Sequence, residues 1–480
     1  MSKIIQPKIT EPKIIQPSLT SPKNLAFALL SLLFAALLTV GCASSVDPAT
    51  TTTSGPTGNA FVVGTDAPAA GVVSFNVQLN AVNAITSGGT SVPLLSGTPT
   101  VDFARFNGLQ TLLDLNAVPV GTYSSIQISL GTATIGYLNA VSGSAPTISS
   151  QTATLSSSSV TIPLTTPLVV TQSGPVGLRV DFDLYKSIQV GSTGQITGNV
   201  TPTFNISAVQ PTDSGGHIDD FDAAVVSVDA AGQSFVIQGP HGRNFTVQVN
   251  GSTEWEGSEG LSNLTTSSIV EISGTIQVAD STITADDVAI LSQDGFHAAG
   301  QITYVQPPSG TATDFDLYVR ALLPTTTGLT LGQLATVDVT GSEKFFIYWM
   351  HNPLTQFLFN PSTLLPGQHV SVGGTLAGAA NADALSVKRV VLRNWGFNGT
   401  FVPNSVSNDT FQMNINGFAG LLVPGQPVTV YVGAGTKFRS GFSAIGDLST
   451  STNIRVVGLL IKDPTSGDSV ILARYIDDMD

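Results

Sequence analysis

Between Leu25 and Val40 the chain is apolar without a single charge, and from Gly58 onward apolar and polar residues alternate. The first pattern, LAFALLSLLFAALLTV, follows four lysines (Lys3, Lys8, Lys13, Lys23) and one acid, Glu11. A positive leader, a short apolar core and small residues at its end form an export signal. The run is shorter than the ~20 residues that a spanning helix needs. The second pattern has period two: Val73–Leu79, Ile126–Leu130 and Leu178–Leu184 each read as a half-buried strand. Turn signals such as Thr65-Asp66-Ala67-Pro68 separate such runs. In the last of the three, Arg179, Asp181 and Asp183 fall on one face, expected to be the wet one. The one helical candidate after the leader is Leu109–Leu115. Residues 43–57, ASSVDPATTTTSGPT, carry no apolar period and read as a flexible spacer.

The C-terminal half repeats itself. A small-residue turn followed by a polar residue and an aromatic occurs at Gly251–Trp255, Gly341–Phe345 and Gly435–Phe438. Each is followed by a strand closing on glycine, at Gly274, Gly374 and Gly458, and then by one more apolar strand, at 288–291, 390–392 and 470–472. The copies recur at intervals of 100 and 84 residues, long enough for each to bury its own core. Five or six short strands per copy predict a small closed barrel, since closure removes open sheet edges.

Few charges, abundant Thr, Val and Ser, and 48 glycines suit strands and turns. Taking off residues 1–41 removes four of 18 basic and one of 32 acidic residues, leaving a net charge of −17. Such a balance argues against nucleic acid and against electrostatic docking on anionic lipid. Cys42 is the sole cysteine, so disulfides and thiolate metal sites are excluded.

Leu38-Thr39-Val40-Gly41-Cys42 resembles the lipobox of bacterial lipoproteins, with its leucine one position earlier than that family prefers. The resemblance implies cleavage before Cys42, lipid attachment to its thiol and acylation (palmitate) of the new amine. Ala43 resembles an outer-membrane sorting signal. An uncleaved signal anchor is the alternative. G-N-A-F-V-V with T-D-A-P, V-D-F-A-R-F-N-G at 101–108, V-P-V-G-T-Y at 118–123 and L-R-V-D-F-D-L at 178–184 resemble the domain-of-unknown-function family forty-three eighty-two. The C-terminal copies resemble the family of unknown function fifty-six sixty-six, the first copy most closely. Both are typical of bacterial envelope proteins.

Catalytic signatures are missing: the chain has no G-x-S-x-G, H-E-x-x-H or G-x-x-x-x-G-K. The five histidines (His217, His241, His297, His351, His369) lack metal-ligand spacing, and each is expected in a turn or on the surface. Asp213-Ser214-Gly215 has the letters of an aspartic-protease loop but no second copy. His217, Asp219, Asp220 and Asp222 crowd the start of the first repeat, where the carboxylates offer oxygen ligands for Ca²⁺, against the favoured reading of a solvated acidic linker. Asp181 and Asp183 form a same-strand carboxylate pair, favoured as sheet surface over a glycosidase dyad. The insertion in the second copy, Phe345–His351, offers Tyr348, Trp349 and His351 as a candidate ligand-binding patch, against the favoured reading of core.

The sequence thus predicts an all-β protein: signal peptide 1–41, lipidated tether 42–57, an antiparallel sandwich-like domain 58–210, and three barrel-like repeats at 217–292, 298–393 and 394–476. It predicts a non-enzymatic cell-envelope lipoprotein with a binding or structural role, anchored to the outer membrane through Cys42. No cofactor or metal is called for, and the partner is an envelope protein or polysaccharide. A carbohydrate- or calcium-binding module is the alternative, and an envelope hydrolase the third. The non-enzymatic reading further predicts no perturbed buried carboxylates.

Overall fold

The structure, a computed structural model, describes residues 56–479 apart from 68–71, 107–110, 140–146, 173, 175, 192–195, 210–216, 240–241, 256–258, 278–281, 325–328, 330, 348–355, 376–383, 424, 440 and 451–452. The period-two segments form strands throughout. In the N-terminal module, strand 57–67 runs between strands 176–183 and 111–119 in a four-stranded sheet completed by 204–209. A second sheet is built on the long antiparallel pair 72–86 and 121–139. The two sheets share one core, to which Val62, Val180 and Phe182 contribute from one side and Phe75, Val77, Ile126 and Ile128 from the other. Four rings lie at its centre: Phe182 sits 5.0 Å from Phe75, 5.3 Å from Phe103 and 4.5 Å from Phe204. Such tilted and edge-on aromatic pairs add to the stabilisation from burial alone.

The module is sandwich-like but not wholly antiparallel, because strands 57–67 and 176–183 run parallel. The run Phe61-Val62-Val63 is apolar on both faces for a physical reason. Val62 faces the module's own core, while Phe61 and Val63 join the core of the first repeat. A strand covered on two sides loses the alternation of a half-wet one. The Leu109–Leu115 helix is not formed over its described part. Residues 111–119 are a strand paired with 57–67, with Leu113 turned into the module's core and Leu112 and Leu115 against the first repeat. Tertiary pairing overrides the local apolar spacing. Among described residues the α-helices are short, at Leu184–Ser187 and Gly417–Leu422.

Each C-terminal copy is a five-stranded closed barrel. Strands 1 to 5 of the first barrel are His217–Asp229, Ser234–Gln238, Asn244–Gln248, Ile269–Gln277 and Thr282–Ser292. Those of the second are Phe296–Gln306, Asp314–Leu323, Leu334–Asp338, His369–Thr375 and Ala384–Arg393. Those of the third are Trp395–Phe401, Thr410–Ile415, Val428–Arg439, Asn453–Lys462 and Ser469–Asp478. The order around each barrel is 1-2-3-5-4, with strand 4 returning to strand 1 and strands 3 and 5 parallel. This is the connectivity of the Greek-key barrel of the OB type.

The two sequence markers of the repeat have structural meanings. Trp255, Phe345 and Phe438 sit opposite Val288, Val390 and Ile476 of strand 5, where strand 3 or its short continuation closes the barrel. Gly274, Gly374 and Gly458 lie where strand 4 shifts register against strand 5. The shift leaves one extra residue on strand 5 and bends the pair sharply, as a β-bulge does. A Cβ on Gly274 would stand 2.3 Å from the Thr284 carbonyl oxygen, and one on Gly458 would stand 2.1 Å from that of Leu472.

Replacing either glycine by alanine therefore forces a backbone shift. Gly274→Ala and Gly458→Ala are each expected to destabilise by about 1–3 kcal/mol, read from the shift of the denaturation midpoint. Gly446→Ala, where nothing lies within 4 Å of the added carbon, serves as the neutral comparison.

Candidate functional site

In the second and third copies the residue left over at the bulge faces a neighbouring barrel, and in the first it lies 3.5 Å from His217 of its own barrel. It is Asp286 in the first copy, Lys388 in the second and Arg474 in the third, each just before the residue opposite Ser273, Gly373 or Val457. A bulge re-aims a side chain in this way. Its charge differs between copies, and the two cationic ones each meet an acid of the first barrel or just after it. Arg474 of the third barrel meets Asp287 of the first at 2.7 Å. Lys388 of the second meets Asp294, just after the first, at 2.8 Å. Its neighbour Arg389 grips Glu259 of the first with both terminal nitrogens, at 2.8 and 2.6 Å, while its guanidinium lies 4.4 Å from the Phe346 ring. The first barrel supplies the acids, and the other barrels bring the bases to it.

The deepest of these contacts is a buried junction. Arg393, at the end of the second barrel, donates to both oxygens of Asp222 at 3.2 and 3.0 Å, to the Ser371 hydroxyl at 3.0 Å, and pairs with Glu271. His297 Nε2 lies 3.3 Å from Asp222. Arg105 of the N-terminal module reaches the same carboxylate at 3.6 Å. Two arginines thus face two carboxylates, and a neutral imidazole completes the balance. Burial works against the Asp222 charge, but Arg393, His297 and Arg105 outweigh it and hold the carboxyl well below its usual range. Burial pushes His297 down, and Arg393 and Arg105 reinforce that.

A second chain of polar contacts extends the junction. Asp102 of the N-terminal module, which accepts from the Phe75 amide at 2.8 Å, lies 3.7 Å from Arg320. Arg320 donates to Gln301, whose amide meets His369 Nδ1 at 3.0 Å. His369 stacks on Trp395 of the third barrel, with ring centroids 4.7 Å apart, and Arg320 lies 4.9 Å from the same ring. Burial lowers His369 well below the ordinary histidine value and raises Asp102. With His297 at 0% and His369 at 5% exposure, both imidazoles of the junction are enclosed by protein. Its chemistry is cohesion: charges of opposite sign, supplied by different modules, are neutralised where water is excluded.

Several sequence expectations change here. The acids at the start of the first repeat are no solvated linker. They belong to strand 1, where Asp219 is buried and paired with His217 at 3.1 Å, and Asp222 anchors the junction. The His217 contact overcomes burial and lowers Asp219. His297 and His369 are interior residues rather than turn or surface ones, because each meets a polar partner inside. Asp181 and Asp183 do not share a wet face. Asp183 is buried, caps the Leu184–Ser187 helix through the Lys186 amide and pairs with Lys186, while Asp181 accepts from Asn205 at 3.1 Å. Perturbed buried carboxylates are present, contrary to expectation, because modules were joined through charge. Phe345 packs on Phe359 at 5.4 Å within the second core. Cys42, Asp213-Ser214-Gly215, His241, Tyr348, Trp349 and His351 lie outside the described residues. Among described residues no group of three or more His, Cys, Asp or Glu is placed to hold a metal ion. Arg320 and Arg393 have no motif around them, while Arg105 lies in the motif at 101–108 and Glu271 in the strand that closes on Gly274, and neither motif marks the charge as a junction partner.

Removing one partner of the central pair strands a buried charge. Asp222→Ala or Arg393→Met is expected to cost about 3–5 kcal/mol, and the double variant clearly less than the two together, in a denaturant double-mutant cycle. The buried histidines set a pH dependence. An unfolded histidine takes up a proton below about pH 6.5, and His297 and His369 resist doing so in the fold. Stability is therefore full above that pH and falls as pH drops below it. The melting temperature is expected to decline from pH 7.5 to 5.5, and His297→Gln or His369→Gln to flatten the decline.

No curated protein matches this chain. Residues 57–199 match the family described as Domain of unknown function (DUF4382), covering most of the N-terminal module. Residues 223–289 match the Domain of unknown function (DUF5666), which covers most of the first barrel, the one that supplies the junction's acids.

Proposed function

We propose that this chain is a lipid-anchored protein of the bacterial cell envelope with a non-enzymatic binding or structural role, held at the outer membrane through Cys42. The reading of the leader rests on the uncharged run 25–40, the four lysines before it and the lone cysteine after it. The reading of the folded part rests on one observation. The shifted groups Asp222, His297 and His369 face other modules across a buried junction instead of lining an open site. In an enzyme, groups of this kind stand where substrate can reach them. Here they make residues 55–480 one compact unit, suited to presenting its surface as a rigid whole.

Carbohydrate is a second reading, and the barrel connectivity favours it, since barrels of this type bind oligosaccharides on strands 2 and 3. On that side of the first barrel Gln238, Asn244 and Gln248 are exposed, and their amides can both donate to and accept from sugar hydroxyls.

Cys42→Ser is expected to abolish palmitate labelling and to move the protein from the membrane to the soluble fraction. Unchanged labelling and fractionation would overturn the anchoring. A glycan array without signal would remove the carbohydrate reading and leave the structural one.

A further inference from the structure

Between the first two barrels lies a cleft of about 150 Å³, lined by Ser292, Gln293, Asp294, Lys344, Gly373, Lys388 and Arg389. Three of its seven lining residues are cationic, in a protein that carries only 14 basic residues after Cys42 against 31 acids. The cations come from the divergence of the repeat. Lys344 and Arg389 are opposite one another across strands, where the first barrel has Glu254 opposite Asp287. Lys388 is the residue aimed outward by the bulge. Gly373 forms the floor, and no side chain fits there, since a Cβ would stand 2.2 Å from the Leu291 carbonyl oxygen of the first barrel.

Not all of this charge is satisfied. Arg389 is neutralised by Glu259, and Lys388 by Asp294. Lys344 is exposed and has no carboxylate partner among the described residues. With Asp294 and Glu259 counted, the cleft carries one excess positive charge. Lys388 is 60% exposed, and its pair with Asp294 is of the surface kind that contributes little, so Lys388 is free to share a second anion.

The geometry points to a binding site for a small tetrahedral oxyanion of the phosphate class, held by Lys344 and Lys388 from the second barrel and the Ser292 hydroxyl from the first. Phosphate fits better than carboxylate. The planar fork of Arg389, which matches a carboxylate, is already closed on Glu259, and the remaining cations are point charges on flexible stems. The ligand is an inorganic phosphate or a phosphomonoester group on a lipid or saccharide. The site stands independently of the lipid anchor at Cys42.

The test is calorimetric titration of the detergent-solubilised full-length protein with sodium phosphate at low ionic strength, with flotation on phosphatidic-acid vesicles as the second arm. Saturable one-to-one phosphate binding is expected, weakened about tenfold or more in Lys344→Gln and in Lys388→Gln, and retained in Lys344→Arg. Vesicle flotation that depends on Lys344 in the Cys42→Ser background would assign the phosphate to a lipid; phosphate binding without such flotation would assign it to a soluble group. Lys344 is exposed, so its replacement leaves the fold intact. Absence of saturable binding in both arms, or binding unchanged in Lys344→Gln, would overturn the site.

Discussion

The bidentate contact between Arg393 and Asp222 joins two barrels at a point where a third module also arrives. Arg105 of the N-terminal module touches the same carboxylate. Because the pair is buried, its Coulomb attraction is strong only while both partners stay in place, and each alone is a large penalty. Any separation of the barrels would expose or strand these charges. The junction therefore fixes the relative position of modules that each have an apolar core of their own.

Charge is scarce in this protein, at 10% of its residues, and its placement is correspondingly telling. The pairs Arg389–Glu259, Arg393–Asp222, Arg393–Glu271 and Arg474–Asp287 all join a base of a later barrel to an acid of the first. Three copies of one fold would otherwise present like surfaces to one another. Giving acids to one and bases to the others makes their contacts attractive and selects which faces meet. Apolar contacts reinforce the arrangement. Ala289 and Leu291 of the first barrel pack on Val391 of the second, and Leu459 and Ile461 of the third join the core of the second.

The bulge gives the copies this latitude. Its glycine is set by backbone crowding and is repeated, whereas the residue left over beside it varies from Asp to Lys to Arg. Closure of the barrel and choice of contact are therefore separable: the first depends on a missing side chain in strand 4, the second on a side chain in strand 5.

The sequence by itself determined the all-β class, the tandem repeat and the family of each matched module, because alternation, turn residues and repeated glycines are local signals. The glycine at 274 was legible because backbone crowding demands it at the bulge, and the aromatic at 255 because it packs on the barrel core where the barrel closes. Tertiary structure alone decided the parallel pairing of 57–67 with 176–183, the strand state of 111–119, the strand order of the barrels and the junction itself. Asp222 reads locally as one acid among several, and Arg393 stands 171 positions away from it. Whether a charged side chain meets water or a buried partner depends on which surfaces dock, and docking leaves no periodic trace in the chain.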